Sequence, residues 1–134
     1  MRFEFLAPYR PQLLSVLRFI TGLLLLQYGI AKIFKFPVLP YFANIPPLIV
    51  VAGTIELVLG ALLMVGLLTR VSAFVLSGQM ACAYFLGHMF KSSAPVWLPL
   101  NNGGTAAILF CFTCLYLASA GPGPWSVDAA RGKA

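Results

Sequence analysis

Long apolar stretches, separated by short segments rich in proline and polar residues, dominate the sequence. Four of them approach the roughly 20 apolar residues that a helix needs to cross a bilayer, and they span about 13–35, 48–68, 71–90 and 102–120. All ten prolines fall outside these stretches. A proline inside one of them would leave a backbone hydrogen bond unmade in lipid. The pattern predicts an all-α fold, an integral membrane four-helix bundle in which 1–134 is a single domain and 121–134 is a tail.

Composition and charge place this bundle in a membrane and orient it. Hydrophobic residues make up 60% of the chain and charged residues only 9%, unlike a soluble globular domain. The net charge is +6, but the basic residues form no cluster. We therefore expect the positive charge to contact the lipid bilayer and expect no binding of nucleic acid. Basic residues concentrate on the cytoplasmic side of membrane proteins. With the N-terminus placed there, the inner set is Arg2, Arg10, Arg18, Arg70, Arg131 and Lys133, and the outer set is Lys32, Lys35 and Lys91.

This distribution predicts that both termini are cytoplasmic, in a multi-pass protein of the bacterial inner (plasma) membrane. The first apolar stretch is too long for a signal peptide and is followed by PVLPYFANIPP, so we expect it to stay in the membrane. Aromatic residues suit the two interfaces, Tyr41 and Trp97 at the outer one and Tyr9 and Trp125 at the inner one.

One carboxylate interrupts the second apolar stretch. Gly53, Glu56 and Gly60 are spaced i, i+3, i+7 and therefore share one helical face. Glycine on a membrane helix lets a neighbouring backbone approach closely, which indicates that this face meets protein. Because a lone carboxylate in hydrocarbon is costly, we expect Glu56 to be protonated or paired with Lys32 or His88.

The other helices carry comparable stripes. They are Arg18, Gly22, Leu25, Gly29 and Lys32 on helix one, Ser77, Ala81, Tyr84 and His88 on helix three, and Asn102, Ala106, Leu109, Thr113 and Tyr116 on helix four. By helical rise, Glu56, Gln27 and Tyr84 lie roughly 9–12 Å below the outer helix ends. Lys32, His88 and Asn102 lie nearer the surface, which predicts a polar pocket in the outer half of the bundle.

The pocket hypothesis assigns Glu56 and His88 catalytic, proton-exchanging roles, and ligand-binding roles to Gln27, Lys32, Tyr84 and Asn102. Each assignment has a structural alternative. Glu56 would only tie helices together, Lys32 would only extend to the head groups, and Asn102 would only cap helix four. Arg18, nearer the cytoplasm, is most simply an orientation anchor.

The cysteines indicate packing more than chemistry. Cys111 and Cys114 have the C-x-x-C spacing of dithiol redox sites, but by helical projection they face away from Asn102. With Ala107 and Ala118 they form a stripe of small residues typical of helix packing. The three cysteines and His88 differ too much in depth to supply a usual ligand set, so we predict no metal.

Five runs together resemble the DoxX family of small four-helix membrane proteins: RFITGLLLLQYGIAKI, GTIELVLGALLMVGLLTRVSAF, MACAYFLGHMF, LNNGGTAAILF and GPGPWSVD. The matching positions are Arg18, Gly29 with Lys32, Glu56, His88, Asn102 with Gly103, and the residues from Gly121 to Asp128. The resemblance implies a membrane subunit associated with quinone-linked redox, including thiosulfate oxidation in some relatives and defence against oxidants or quinones in others.

Three functions follow as hypotheses. The first is a quinone-associated oxidoreductase subunit with quinone as its cofactor; it is not self-sufficient as an enzyme, because the chain has no evident electron carrier. The second is a non-catalytic anchor or assembly scaffold for a soluble redox enzyme, with the tail as its docking segment. The third is a carrier for a small anion or weak acid that uses Lys32 and His88 as positive groups.

Overall fold

The computed structural model describes residues 3–91 and 94–133, apart from the side chain of Tyr41, and those residues contain helices and no strand. The helices are α1 Arg10–Ile33, α2 Pro47–Val65, α3 Thr69–Tyr84, α4 Pro99–Asn102, α5 Thr105–Ala120 and α6 Val127–Ala130. A π-helical segment, Phe85–Met89, continues α3. The all-α prediction is thus confirmed over this part of the chain, while Arg2 and the Tyr41 side chain lie outside it.

Two of these helices are long and apolar enough to cross a membrane, α1 with the turn before it (Ala7–Ile33) and α2. Helix α5 is apolar but shorter, at 16 residues. The length and composition of α1 and α2 support the membrane assignment made from the sequence.

The glycine stripes bring α1 and α2 into backbone contact. A Cβ atom on Gly29 would lie 2.5 Å from the Leu57 nitrogen and 2.9 Å from the Gly53 oxygen. A Cβ on Gly60 would lie 2.9 Å from the Leu26 nitrogen. Any larger residue at these positions would push the helices apart, so the prediction of a protein-facing glycine stripe is confirmed.

Helix α5 packs against α3 through the cysteine face, and this corrects the predicted stripe of helix four. Cys114 is fully buried with Leu76 of α3, whereas Leu109 and Tyr116 are 63% and 57% exposed. The reason is a break at Gly103, whose φ of 72° ends α4. The helical phase of α5 therefore does not follow from Asn102.

Other boundaries also differ from the sequence prediction: α1 is Arg10–Ile33 instead of 13–35, and α5 begins at Thr105 instead of 102. Helix α2 ends at Val65 instead of 68, because Gly66 takes a left-handed conformation and donates to the Leu62 carbonyl at 2.9 Å, a common way to end a helix. Helix α3 is α-helical only to Tyr84, and the widened π-helical turns follow.

The start of α1 and the tail meet at one end of the molecule. Ser15 donates to the Pro122 carbonyl, with 3.4 Å between the oxygens, and accepts from the Trp125 N–H at 3.1 Å. We call this the tail end; it comprises the first turns of α1, the α2–α3 turn, the end of α5 and residues 121–133. The opposite end, with the α1–α2 and α3–α4 connections, is the loop end.

Candidate functional site

An ion pair links α1 and α2 towards the loop end. The Lys32 ammonium nitrogen lies 2.9 Å from each carboxylate oxygen of Glu56. Glu56 is only 1% exposed and faces protein. Of the two partners that the sequence suggested for this carboxylate, the structure selects Lys32.

Local sequence explains why the pair can form. Lys32 lies in the last turn of α1, and Gly53 lies opposite it on α2, where a Cβ would come within 2.9 Å of the Lys32 Cβ. The ammonium group also lies over two aromatic rings, 5.8 Å from the centroid of Tyr28 and 5.6 Å from that of Phe42. These rings attract a cation through their quadrupoles, so they help to hold the ammonium group in place.

A third side chain, Gln79 of α3, completes the cluster and was missed by the sequence analysis. Its amide nitrogen donates to a Glu56 oxygen at 3.1 Å. The amide oxygen of Gln79 is buried, with no hydrogen-bond partner among the described residues. A glutamine inside the apolar run VLSGQMACAY could have been recognised, because an amide in a membrane helix needs a partner.

A cleft of about 420 Å³ opens beside this cluster, between the end of α1 and the loop that leads into α2. Its volume falls within the range of roughly 300–1,000 Å³ that is typical of small-molecule sites. The lining combines two lysines and an asparagine with apolar side chains, and it consists of Lys32, Ile33, Lys35, Ala43, Asn44, Ile45 and Val50. Glu56 lies behind Lys32, so a ligand in the cleft would meet the ammonium group first.

Three of the other predicted site residues, Tyr84, His88 and Asn102, form a separate cluster at the loop end. The Asn102 amide donates to the Tyr84 hydroxyl at 3.1 Å and to the Val96 carbonyl at 2.9 Å, and its oxygen accepts from the Gly104 N–H at 2.8 Å. The Nδ1 atom of His88 lies 3.1 Å from the Asn102 carbonyl oxygen. This cluster fixes the break between α4 and α5 against α3.

The structure therefore divides the predicted pocket. Lys32 and Glu56 come together, and Tyr84, His88 and Asn102 come together, but within the described part of the chain no hydrogen bond joins the two groups. Gln27 is exposed on α1. The proposed catalytic and ligand-binding roles of all six residues stay predictions.

Arg18 has a larger structural role than the sequence suggested. It is 3% exposed, and its guanidinium donates to the Leu63 carbonyl at 3.0 Å and to the Met64 carbonyl at 3.4 Å, both in the last turn of α2. It also donates to the tail, to the carbonyls of Pro122 at 2.7 Å and Trp125 at 2.9 Å. The interpretation as an orientation anchor missed these contacts, although the position of Arg18 on the glycine stripe pointed towards protein.

Asp128 caps α3 from the tail. Its two carboxylate oxygens accept from the N–H groups of Leu68 at 3.0 Å and Thr69 at 2.9 Å. Burial opposes ionisation, but these N–H donors and the nearby charge of Arg131 outweigh it and hold the pKa of Asp128 below its ordinary value. The sequence contains only three acidic residues, so an acid in the tail was a clue to such a role.

The cysteines lie apart from both polar clusters. Cys82, Cys111 and Cys114 are free thiols, and the Ser77 hydroxyl donates to the Cys111 carbonyl at 2.7 Å across the α3–α5 contact. The small-residue packing face is thus confirmed. Residues 3–91 and 94–133 contain no group of three or more potential metal ligands, and the absence of a metal site stays a prediction.

Chemically, the Lys32 cluster offers one ammonium donor at the edge of a cleft and one carboxylate behind it. Such a pair can hold a polar head group and exchange a proton with it. It carries no group that could hold an electron, so any redox reaction there needs an electron carrier from outside the described chain.

Comparisons with known proteins identify the family of this chain. The sequence profile of the DoxX family matches residues 13–89, which include both members of the Lys32–Glu56 pair. A protein of Haemophilus influenzae, described only as an uncharacterized protein, is 37% identical over 126 residues, which are 92% of this chain and 93% of the relative. No solved structure matches the chain significantly. The family match and the close relative together show that this chain belongs to the DoxX family.

Proposed function

We propose that this protein is a multi-pass subunit of the bacterial inner membrane that binds the head group of a quinone beside Lys32 in quinone-linked redox. In this proposal α1, α2, α3 with its π-helical continuation, and α5 all cross the bilayer. Both termini are cytoplasmic, so the tail end is inside and the loop end outside. The contacts between α1 and the tail support a common side for the two termini.

The observation that carries the proposal is the part-buried Lys32–Glu56 pair at the edge of a cleft. An intramembrane ion pair that only joins two helices has no need of an adjacent cavity. Here the side chain of Lys32 retains 12% of its exposure while that of Glu56 retains 1%, and Lys32 lines the cleft. A quinone carbonyl oxygen needs a hydrogen-bond donor, and the ring and tail need apolar walls, which Ile33, Ile45 and Val50 supply.

The proposed reaction is reduction of the quinone to quinol by two electrons and two protons. The electrons come from a reduced soluble redox enzyme that docks on the membrane subunit. With a quinone in the cleft, Lys32 would donate a hydrogen bond and then a proton to one of its carbonyl oxygens, and Glu56 would hold the lysine until water at the loop end reprotonates it. Water at the loop end would supply the second proton. Glu56 thus acts through Lys32, because its oxygens are already held by Lys32 and Gln79.

The other two hypotheses have less support. A carrier that attracts anions through Lys32 and His88 needs both positive groups in one site, but Lys32 is neutralised by Glu56 and His88 contacts Asn102. A scaffold that docks a partner through its tail needs the tail to be free. Pro122, Trp125 and Asp128 instead bond to α1 and to the α2–α3 turn of the same chain.

Equilibrium binding of a short-tailed benzoquinone to the protein in lipid nanodiscs tests the proposal. The test variant is the double substitution Lys32→Met with Glu56→Gln, which leaves neither partner as an unpaired buried charge. It should keep the fold and lose roughly tenfold or more in affinity, the effect of removing a charged hydrogen-bond donor.

Lys91→Met is the matched control, because it removes an exposed lysine near the loop end that does not line the cleft. Its affinity should equal that of the original protein. Undiminished affinity in the double variant, or no binding by the original protein, would contradict the proposed site.

A further inference from the structure

A second cleft, of about 510 Å³, lies at the tail end between the start of α1, the end of α5 and the tail. Two arginines, Arg10 and Arg70, line it together with Leu14, Tyr116 and the tail residues Pro122 and Gly123. We propose that this cleft binds the phosphate-bearing head group of an anionic phospholipid. The inference rests on the membrane assignment and is independent of the quinone site.

The charge of the lining is entirely positive. Arg70 is held in place because its Nη1 atom donates to the carbonyls of Ala118 at 3.1 Å and Ser119 at 2.5 Å. Arg10 donates through Nε to the Ala7 carbonyl at 3.2 Å. Within the described residues, Nη2 of Arg70 and both Nη atoms of Arg10 make no further hydrogen bond, so donors are left for an anion.

No carboxylate competes for these donors within the lining. The acidic residue of the tail, Asp128, does not line the cleft, and its oxygens bond to Leu68 and Thr69. An anion in the cleft would therefore find two guanidinium groups and no opposing charge. Planar guanidinium groups match phosphate oxygens geometrically as well as electrostatically.

The shape of the cleft favours a lipid over a free phosphate ion. Arg10 is the first residue of α1, and Arg70 bonds to the end of α5, so both charges lie where the apolar helices end. Leu14 and Tyr116 lie one turn deeper, on α1 and α5 respectively, and add an apolar wall beneath the charges. A phospholipid presents this same order of a phosphate group above an apolar chain. Basic pockets at the ends of membrane helices bind anionic head groups on this principle.

Native mass spectrometry of the detergent-purified protein tests the assignment by titration with phosphatidylglycerol and with phosphatidylcholine of identical acyl chains. The original protein should prefer phosphatidylglycerol. Arg10→Gln should reduce that preference about fivefold, and Arg10→Gln with Arg70→Gln about 25-fold, following the attraction of each basic residue to an anionic surface. Arg131→Gln removes an equal charge at the tail end outside the cleft, and it should leave the preference unchanged.

Thermal unfolding of each variant separates loss of the site from loss of the fold. If Arg70→Gln prevents folding, Arg10→Gln alone tests the site. This variant should fold, because among the described residues the Arg10 side chain donates only to the exposed Ala7 carbonyl. An equal loss of preference in Arg131→Gln would overturn the site. Displacement of the lipid by millimolar inorganic phosphate, but not by chloride of equal ionic strength, would overturn the lipid assignment in favour of a soluble phosphate ligand.

Discussion

Two cations lie on the same stripe of α1, one buried and one half-buried. They are 14 residues and therefore about 21 Å apart, and both contact α2. Arg18, at the tail end, donates to four backbone carbonyls. Lys32, towards the loop end, pairs with the carboxylate of Glu56. The first cation is surrounded by fixed dipoles of the backbone and the second by a titratable side chain.

This difference separates a cluster suited to holding helices together from one suited to exchanging protons. A carbonyl cannot take up a proton, and three nitrogens of the Arg18 guanidinium already donate to carbonyls, so the tail end is suited to hold α1, α2 and the tail together. A lysine–glutamate pair can exchange protons, and Lys32 borders a cleft. One sequence pattern, a cation beside glycines on a membrane helix, thus has two outcomes that depend on the partner.

Arg18→Met should have the largest effect on stability. It removes a charged donor from four buried or half-buried carbonyls, of which only those of Leu63 and Pro122 keep a second donor among the described residues. The loss should cost about 3 kcal/mol or more in total. The matched control is Arg10→Met, which removes an exposed arginine with one hydrogen bond from the same helix. Thermal unfolding in detergent measures both, and a small, equal loss in the two variants would mean that the tail end is not held together by Arg18.

A double-mutant cycle between Lys32→Met and Glu56→Gln should show a smaller but clear coupling. Either single change leaves one member of the pair without its partner. The double variant should therefore be less destabilised than the sum of the two single variants, by about 1–3 kcal/mol. The corresponding cycle between Glu56→Gln and His88→Ala should be additive within about 0.5 kcal/mol, since His88 contacts Asn102. Coupling to His88 as strong as to Lys32 would restore the single pocket predicted from the sequence.

Asp128→Asn should have the smallest effect and should change the response to acid. Because the folded protein lowers the pKa of Asp128 below its ordinary 3.8, the ionised group stabilises the fold above that pH. This contribution is lost as the pH falls below 3.8 through the folded value. At neutral pH the variant should lose about 1 kcal/mol, because the amide keeps one acceptor oxygen but loses the charged one. Its stability should fall less than that of the original protein as the pH drops below 3.8. If the stability of both proteins falls equally with decreasing pH, the charge of Asp128 does not stabilise the fold.

Residue type and spacing were enough to predict much of the α1–α2 half. Glycine spacing indicated a close helix contact, and the cost of a carboxylate in lipid required a partner for Glu56. Both inferences depend on neighbours within one or two turns of the same helix, which periodicity describes well. The family resemblance added the same positions and is confirmed by the profile match over residues 13–89.

The α3–α5 half and the tail could not be predicted in the same way. Helical projection from Asn102 failed because the Gly103 break resets the phase of α5. Asp128 caps a helix that begins 59 residues earlier in the chain, and no local pattern encodes such a contact. Gln79 was within reach of the argument used for Glu56, since an amide in an apolar helix also needs a partner.

The most direct test of the account is the ¹⁵Nζ NMR signal of Lys32 in the protein in nanodiscs, recorded with and without a short-tailed benzoquinone. The chain has four lysines, and Lys32→Met identifies the signal by its disappearance. If the quinone head group binds beside the Lys32–Glu56 pair, the Lys32 signal should shift as the quinone is added while that of Lys91 stays in place. An unshifted Lys32 signal at quinone concentrations that saturate binding would contradict the central claim and leave the ion pair as a link between two helices.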